Sequence, residues 1–248
     1  MAGGWLGEPV ELVPCETIDV AVPATSEIVL EGELIPGERR MEGPFGEVHG
    51  YYQGVAQQAI YHLKAVSFRR DAIYVTALSG PPTTDNHVLG QIAREALVYD
   101  RIRQICPTIR DVCATSGGAN LHLAISIKPT FPTQARDVML AALTTERIRP
   151  KLVTVVDEDI DVRDPEKVEW AIATRMQADR DVIIIPRQRG AFLDPSTPAS
   201  GVSAIMAIDA TRPYGQDFAE VADVPGADSF VIPGWTDGPG GRVLSSTR

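Results

Sequence analysis

Two carboxylates stand close together in the run Glu42-Gly43-Pro44-Phe45-Gly46-Glu47, which continues Val48-His49-Gly50-Tyr51-Tyr52. Pro44 fixes one φ, the flanking glycines permit positive φ or close approach of a ligand, and Phe45 is suited to pinning the loop on a core. Such a turn leaves two acids little freedom. They can then divide their labour: one stays ionised and orients a cation, while the other, desolvated, has a raised pKa and handles a proton. The same pattern also describes a surface turn with two solvated acids, which is the commoner fate of an isolated pair. His49 is placed to tune Glu47 or to touch a ligand, but a histidine near a turn is more often just hydrogen-bonded. We give it no catalytic role.

The elements that must position this loop read as β structure on either side. Val10-Glu11-Leu12-Val13 and Ile18-Asp19-Val20-Ala21-Val22 alternate with period two, and residues 27–33 form another strand, which Pro36-Gly37 should end. After the loop, residues 61–68 alternate, Arg69-Arg70-Asp71 reads as a turn, and residues 72–78 return as the second arm of a hairpin. From Ser79-Gly80-Pro81-Pro82 onward helix and strand alternate. A helix over 87–104, capped by Asp85 or Asn86, carries Val88, Ile92, Leu97 and Ile102 near helical spacing. Then come a strand at 121–127, a helix at 133–143, an apolar strand at 152–156, a helix at 166–176 behind Asp164-Pro165, and a strand at 182–186. The fold class is α/β (α+β): a strand-rich portion over 1–80, followed by an α/β domain over 85–248 with a mixed or mostly parallel sheet. Past Arg212 the chain is rich in Pro, Gly and Asp, and only Phe230-Val231-Ile232 is apolar.

The chain has 248 residues, 44% of them hydrophobic, enough for a sizeable core. A net charge of −10 without a run of Lys and Arg argues against a nucleic-acid surface. There is no apolar stretch long enough to span a membrane and no signal-like start, so a cytoplasmic protein is expected. Cys15, Cys106 and Cys113 have neither CxxC nor Cys/His spacing, which predicts reduced, buried thiols. The acidic run Asp157-Glu158-Asp159 with Asp161 lacks the spacing of a calcium loop. Capping and salt links, to Arg163 or Arg175, explain it better.

The glutamate loop resembles that of the UbiD family of reversible (de)carboxylases, which use prenylated FMN. The resemblance extends to Gly7-Glu8-Pro9-Val10-Glu11-Leu12-Val13, Cys15-Glu16-Thr17, Gly80-Pro81-Pro82, Asp157-Glu158-Asp159-Ile160-Asp161-Val162 and Trp170-Ala171-Ile172-Ala173-Thr174-Arg175. It covers about the C-terminal half of a typical member. By this resemblance Glu47 is the acid/base glutamate that exchanges CO2 for a proton, and Glu42 pairs with the catalytic arginine. Lys151 reaches the cofactor phosphate, although a lone lysine at the start of a strand is as readily a solvated side chain. Thr84, Val88, Phe192 and Leu193 fall at substrate-pocket positions, where core packing explains the apolar ones equally well.

Residues 1–80 are then the remainder of a split-barrel flavin domain, with an open strand edge. The family's arginine, and the residues that hold a divalent metal (Mn2+ or Mg2+), K+ and most of the flavin, lie in the other half and have no counterpart here. The resemblance therefore implies a hetero-oligomer, with a UbiD-like N-terminal-half polypeptide as partner and no metal ligands in this chain. The substrate implied is an aromatic, heteroaromatic or α,β-unsaturated carboxylic acid. A non-catalytic structural subunit and a flavin-binding module remain alternatives. One departure stands out: Ala204-Ile205-Met206-Ala207-Ile208-Asp209-Ala210-Thr211 has Ile205 and Ala207 where relatives commonly carry a lysine and a glycine.

Overall fold

A computed structural model of the chain describes residues 1–145 and 150–222. Phe230-Val231-Ile232 lies outside the described residues. Met1–Tyr214 forms one compact unit; of the second unit, Gly215–Arg248, the described residues 215–222 carry no helix or strand.

The first part of the chain pairs strands two by two. After a short helix α1 (Ala2–Leu6), β1 (Leu12–Pro14) and β2 (Ala21–Pro23) make one antiparallel pair. β3 (Ile28–Glu42) and β4 (Ala56–Phe68) make a long antiparallel ribbon that runs from Ile28 opposite Phe68 to Glu42 opposite Ala56. Glu31, buried in β3, ties the two pairs together: its carboxylate accepts the Glu16 and Thr17 backbone N–H groups and the Thr17 hydroxyl at 2.7–3.0 Å.

Two expectations fail here. Pro36-Gly37 does not end β3: residues 35–38 bulge out opposite Ile60 alone, and pairing resumes at Arg39. A bulge accommodates a proline without an N–H and a glycine at φ 83, so the ladder survives both. Nor do residues 72–78 return against β4, whose partner is β3. They form no strand, and Ile73, Tyr74, Val75 and Leu78 are exposed. Alternation yields a strand only where a partner edge is there to bond it, and β4 is already paired to β3 along its length.

Beyond residue 84 a five-stranded mixed sheet forms from β5 (Ile109–Ala114), β6 (His122–Ile127), β7 (Leu152–Asp157), β8 (Val182–Arg189) and β9 (Val202–Ala210). The strand order is β5-β6-β7-β9-β8, with β6, β7 and β9 parallel and both edge strands antiparallel to their neighbours. Side chains alternate across it. Leu123, Ile125, Val153 and Val155 pack on one face with Val98 and Ile102 of α2 (Asp85–Arg103) and with Val138 and Met139 of α3 (Gln134–Leu143). Ala124, Val156, Ile208 and Ala210 pack on the other with Val168 and Ala171 of α4 (Pro165–Arg175). Each Leu or Ile so buried contributes about 1.5–3 kcal/mol, and the sheet is covered on both sides as its apolar runs require. Ile205 and Ala207 belong to β9: Ala207 is in this core and Ile205 packs against it.

Helix α4 starts as expected, with the Asp164 carboxylate accepting from the Glu166 and Lys167 N–H groups and Pro165 in the first turn. Helix α2 does not: Thr84, not Asp85 or Asn86, is its N-cap. Of the expected apolar stripe only Ile102 is buried, while Val88, Ile92 and Leu97 are exposed. Polar groups dock the middle of this helix. Gln91 donates to the Ala114 carbonyl and the Ser116 hydroxyl, Glu95 accepts from the Ala114 N–H, and Arg94 donates to the Asn120 carbonyl.

Candidate active site

The glutamate loop closes the open end of the β3–β4 ribbon. Its own ladder makes it stiff: Gln53 N–H donates to the Phe45 carbonyl at 2.9 Å, Glu47 N–H to Tyr51 at 3.0 Å, and Gly50 N–H to Glu47 at 2.9 Å. Gly43 and Gly50 supply the left-handed φ values of 95 and 82. At Gly50 a Cβ would stand 2.9 Å from Pro81 Cα, so the loop is pressed onto the Gly80-Pro81-Pro82 segment where no side chain fits. Phe45, expected as a pin, is largely exposed. The backbone does that work instead.

Glu47 lines a cavity of about 380 Å³ with Tyr51, Tyr52, Gln53, Phe192 and Leu193. Phe192, Leu193 and Thr197 also wall a neighbouring cavity of about 770 Å³, which His49, Arg94, Asn120 and Arg189 line from other sides. The structure therefore brings Glu47, Phe192 and Leu193 together across 145 residues of sequence. Glu42, at the end of β3, is exposed and lines neither cavity. Thr84 and Val88 line neither as well: Thr84 caps α2 and Val88 is 47% exposed on it.

Lys151 is not a loose surface lysine. Its ammonium lies 2.8 Å from the Asp194 carboxylate and donates to the Ser196 hydroxyl. Asp194 is buried on the wall of the Glu47 cavity. Burial alone would raise its carboxyl, but the Lys151 ammonium and the Ser196 N–H and hydroxyl outweigh that and hold it below the usual range. Across the cavities, burial and the Arg94 charge push the His49 imidazole down, against the pull of Asp194 and Glu47. His49 is neutral near pH 7 as a result. Arg94, His87, Asn120 and Arg189 escaped sequence reasoning. No short motif joins them, and only Gly117-Gly118 marks in the sequence the turn that delivers Asn120, where Ala119 and Asn120 take φ values of 50 and 60.

The acidic run makes salt links. Arg175, buried, meets Asp157 at 2.7 Å and Asp159 at 2.8 Å, and its guanidinium lies 5.3 Å from the centroid of the Trp170 ring. Glu158 pairs with Arg110 and Lys128. Arg163 turns instead to Glu95 and Asp111, and only its backbone N–H reaches Asp161. Among the described residues no group of three or more His, Cys, Asp or Glu is placed to hold a metal ion. Cys106 and Cys113 are free and buried, and Cys15 is partly so. No helix among the described residues is long and apolar enough to cross a membrane.

Residues 1–82 match the Rift-related domain of 3-octaprenyl-4-hydroxybenzoate carboxy-lyase, and residues 87–210 match its C-terminal domain. The anhydromevalonate phosphate decarboxylase of Methanothermobacter thermautotrophicus is 40% identical over 206 residues, 82% of this chain and 47% of that protein. The UbiD-class enzyme HmfF from Pelotomaculum thermopropionicum, solved with FMN, is similar at a TM-score of 0.79 and 42% identity, over 93% of this chain and 52% of that one. The vanillic acid decarboxylase ShVdcCD of Sedimentibacter hydroxybenzoicus is similar at a TM-score of 0.73 and 32% identity, over 90% and 49% of the two chains. The chain spans about half the length of the relatives it matches. With family matches over most of its length, and the same strand-rich and α/β parts in solved relatives, the chain belongs to the UbiD family.

Proposed function

We propose that this chain supplies the acid/base glutamate, Glu47, to a (de)carboxylase site that a partner polypeptide completes. The observation that carries this is Glu47 itself, held by a rigid loop on the wall of a cavity rather than in open solvent. In the decarboxylation direction Glu47 delivers a proton to the carbon that loses CO2; in the carboxylation direction it removes that proton. Glu42, exposed five residues earlier at the ribbon end, is free to orient the partner's arginine. Phe192 and Leu193 form apolar wall for an aromatic, heteroaromatic or α,β-unsaturated acid, while Thr84 and Val88 act at most from a greater distance.

The residues present fit one side of a prenylated flavin. Met41, Phe45, Tyr51 and Tyr52 are exposed around the ribbon end as apolar and aromatic surface, and Lys151, though engaged by Asp194 and Ser196, has three N–H donors to share with a phosphate. When bound, that cofactor supplies the electron sink for carbon–carbon cleavage. The divalent metal, Mn2+ or Mg2+, and K+ belong mainly to the partner in this reading. Residues 1–80 then serve as part of the flavin-binding domain, and residues from 85 onward as the pocket-closing and oligomerising one.

The test is reconstitution of the chain with a UbiD-like N-terminal-half polypeptide and prenylated FMN. Glu47→Gln should leave assembly intact and lower both turnover and hydrogen exchange at the substrate α-carbon by about 100-fold or more. Undiminished exchange removes Glu47 from this role and favours a structural subunit or a flavin-binding module.

A further inference from the structure

A third cavity, of about 770 Å³, lies between α4 and the face of the sheet that carries Cys113, His122 and Leu152. That volume suits a small organic molecule. The turn over 115–122 divides it from the cavity that Arg94 lines: Asn120 and Leu121 line that one, and Ser116, Gly118 and His122 line this one. Helix α2 holds the turn at two points, Gln91 donating to the Ser116 hydroxyl and Arg94 to the Asn120 carbonyl. At Gly118 a Cβ would stand 2.6 Å from both His122 Cβ and Thr115 Oγ1, so the turn closes tightly over His122.

The lining says which ligand. Leu152, Val162, Val168 and Ile172 give the cavity an apolar side. At the other side the Thr154 hydroxyl engages His122 Nε2 at 2.9 Å, while Nδ1 has no partner among the described residues and is not sealed from the cavity. Burial pushes this imidazole down to about 4 and the Cys113 thiol up to about 11, so both are uncharged near pH 7. The neutral ring offers a donor or an acceptor at Nδ1 according to its tautomer, and a hydroxyl can meet either. A carboxylate has nothing to meet. Arg163, the one cation among the lining residues, is spent on Glu95 at 2.9 Å, Asp111 at 3.0 Å and the Val112 carbonyl at 3.2 Å. Glu169 lines the cavity without a cation among the described residues and repels an acid. Burying an anion without a partner is costly.

We propose that this cavity binds an uncharged aromatic compound bearing a hydroxyl, its ring among Leu152, Val168 and Ile172 and its hydroxyl on His122 Nδ1, and that it refuses the corresponding carboxylic acid. One consequence rests on the function proposed above: loss of CO2 from a hydroxylated aromatic acid leaves a compound of this class, so the cavity takes the product and not the substrate. The binding site itself does not depend on that reading.

The test is equilibrium dialysis of the full chain, without cofactor, against 2-naphthol and 6-hydroxy-2-naphthoate near pH 7, two compounds that share ring and hydroxyl and differ by the carboxylate. 2-Naphthol should bind about tenfold tighter or more. Ile172→Trp, which fills the cavity, and His122→Phe, which removes the ring nitrogens, should each weaken 2-naphthol about fivefold or more. Glu169→Lys, at an exposed position, supplies the missing cation and should narrow the preference by about threefold. Equal binding of the two compounds, or no binding of 2-naphthol at millimolar concentration, overturns the proposal. So does 2-naphthol binding undiminished in Ile172→Trp, which would place the compound on exposed apolar surface. Should that variant fail to fold, Glu169→Lys still decides: a preference unchanged there overturns the charge selection. Because no turnover is read, the cavity and the decarboxylase reading fail separately.

Discussion

Glu47 and Glu42 share a loop and differ in surroundings: the first lines a cavity, and the second stands exposed at a strand end. The division of labour proposed for them rests on that difference more than on residue type. Burial decides the titration of another group, His122, whose Nε2 lies 2.9 Å from the Thr154 hydroxyl. There it pushes the imidazole down to about 4. The unfolded chain protonates this group near its ordinary value of about 6.5 while the native state resists, so the unfolded state binds more protons between these two values. Stability is therefore complete above about pH 6.5 and falls as pH drops toward 4, by up to about 3 kcal/mol from this residue. Urea denaturation at pH 7 and pH 4.5 should show that loss, and His122→Gln, which keeps a group able to meet Thr154, should show less of it. An equal loss in both proteins assigns the acid sensitivity elsewhere.

At the scale of elements, the glutamate loop is positioned by two contacts that are independent of the acids it carries. One is the backbone ladder across the ribbon end, and the other is the close approach of Gly50 to Pro81. Gly50→Ala introduces both a left-handed φ and a contact below 3 Å, at a cost of roughly 1–3 kcal/mol. The loop should yield before the fold does. The variant is expected to melt a few degrees lower with an unchanged circular dichroism spectrum, and to lose turnover in the reconstituted complex with Glu47 still in place. Full activity would show that the loop tolerates displacement. In helix α4 the cap is worth less: Asp164→Ala should destabilise by about 1 kcal/mol in denaturant, without an effect on the site.

For the molecule as a whole, the imbalance between its parts matters most. The five-stranded sheet is covered on both faces, whereas the two-stranded ribbon exposes Leu30, Leu34, Met41, Leu63 and Phe68, and residues 73–78 add further apolar surface. Ribbons of two strands are marginal by themselves, and unpaired strand edges invite pairing. The chain alone should therefore self-associate, and a UbiD-like N-terminal-half polypeptide should convert it to a defined hetero-oligomer with protection of β3 and β4 from hydrogen exchange. A well-behaved monomer whose ribbon amides are already protected counts against a partner at this surface.

Much of this was legible in the residues. The family resemblance rests on short motifs, and the strands around 121–127 and 152–156 and the helix behind Asp164-Pro165 announce themselves through local apolar runs and capping. β5 and β9 are not read from the sequence: β5 (Ile109–Ala114) carries Arg110-Asp111 in its first half, and β9, though mostly apolar, stands out there only for its departure from relatives. Sequence alone determined part of the local order, and that two glutamates flank a turn rich in glycine and proline. Tertiary structure decided which strand pairs with β4, that Phe192 and Leu193 stand beside Glu47, and that His49, Arg94 and Asn120 line one cavity. Capping and periodicity act over a few residues and leave a signature in the chain, whereas strand partnership and desolvation depend on what long-range packing brings near, which no local pattern encodes.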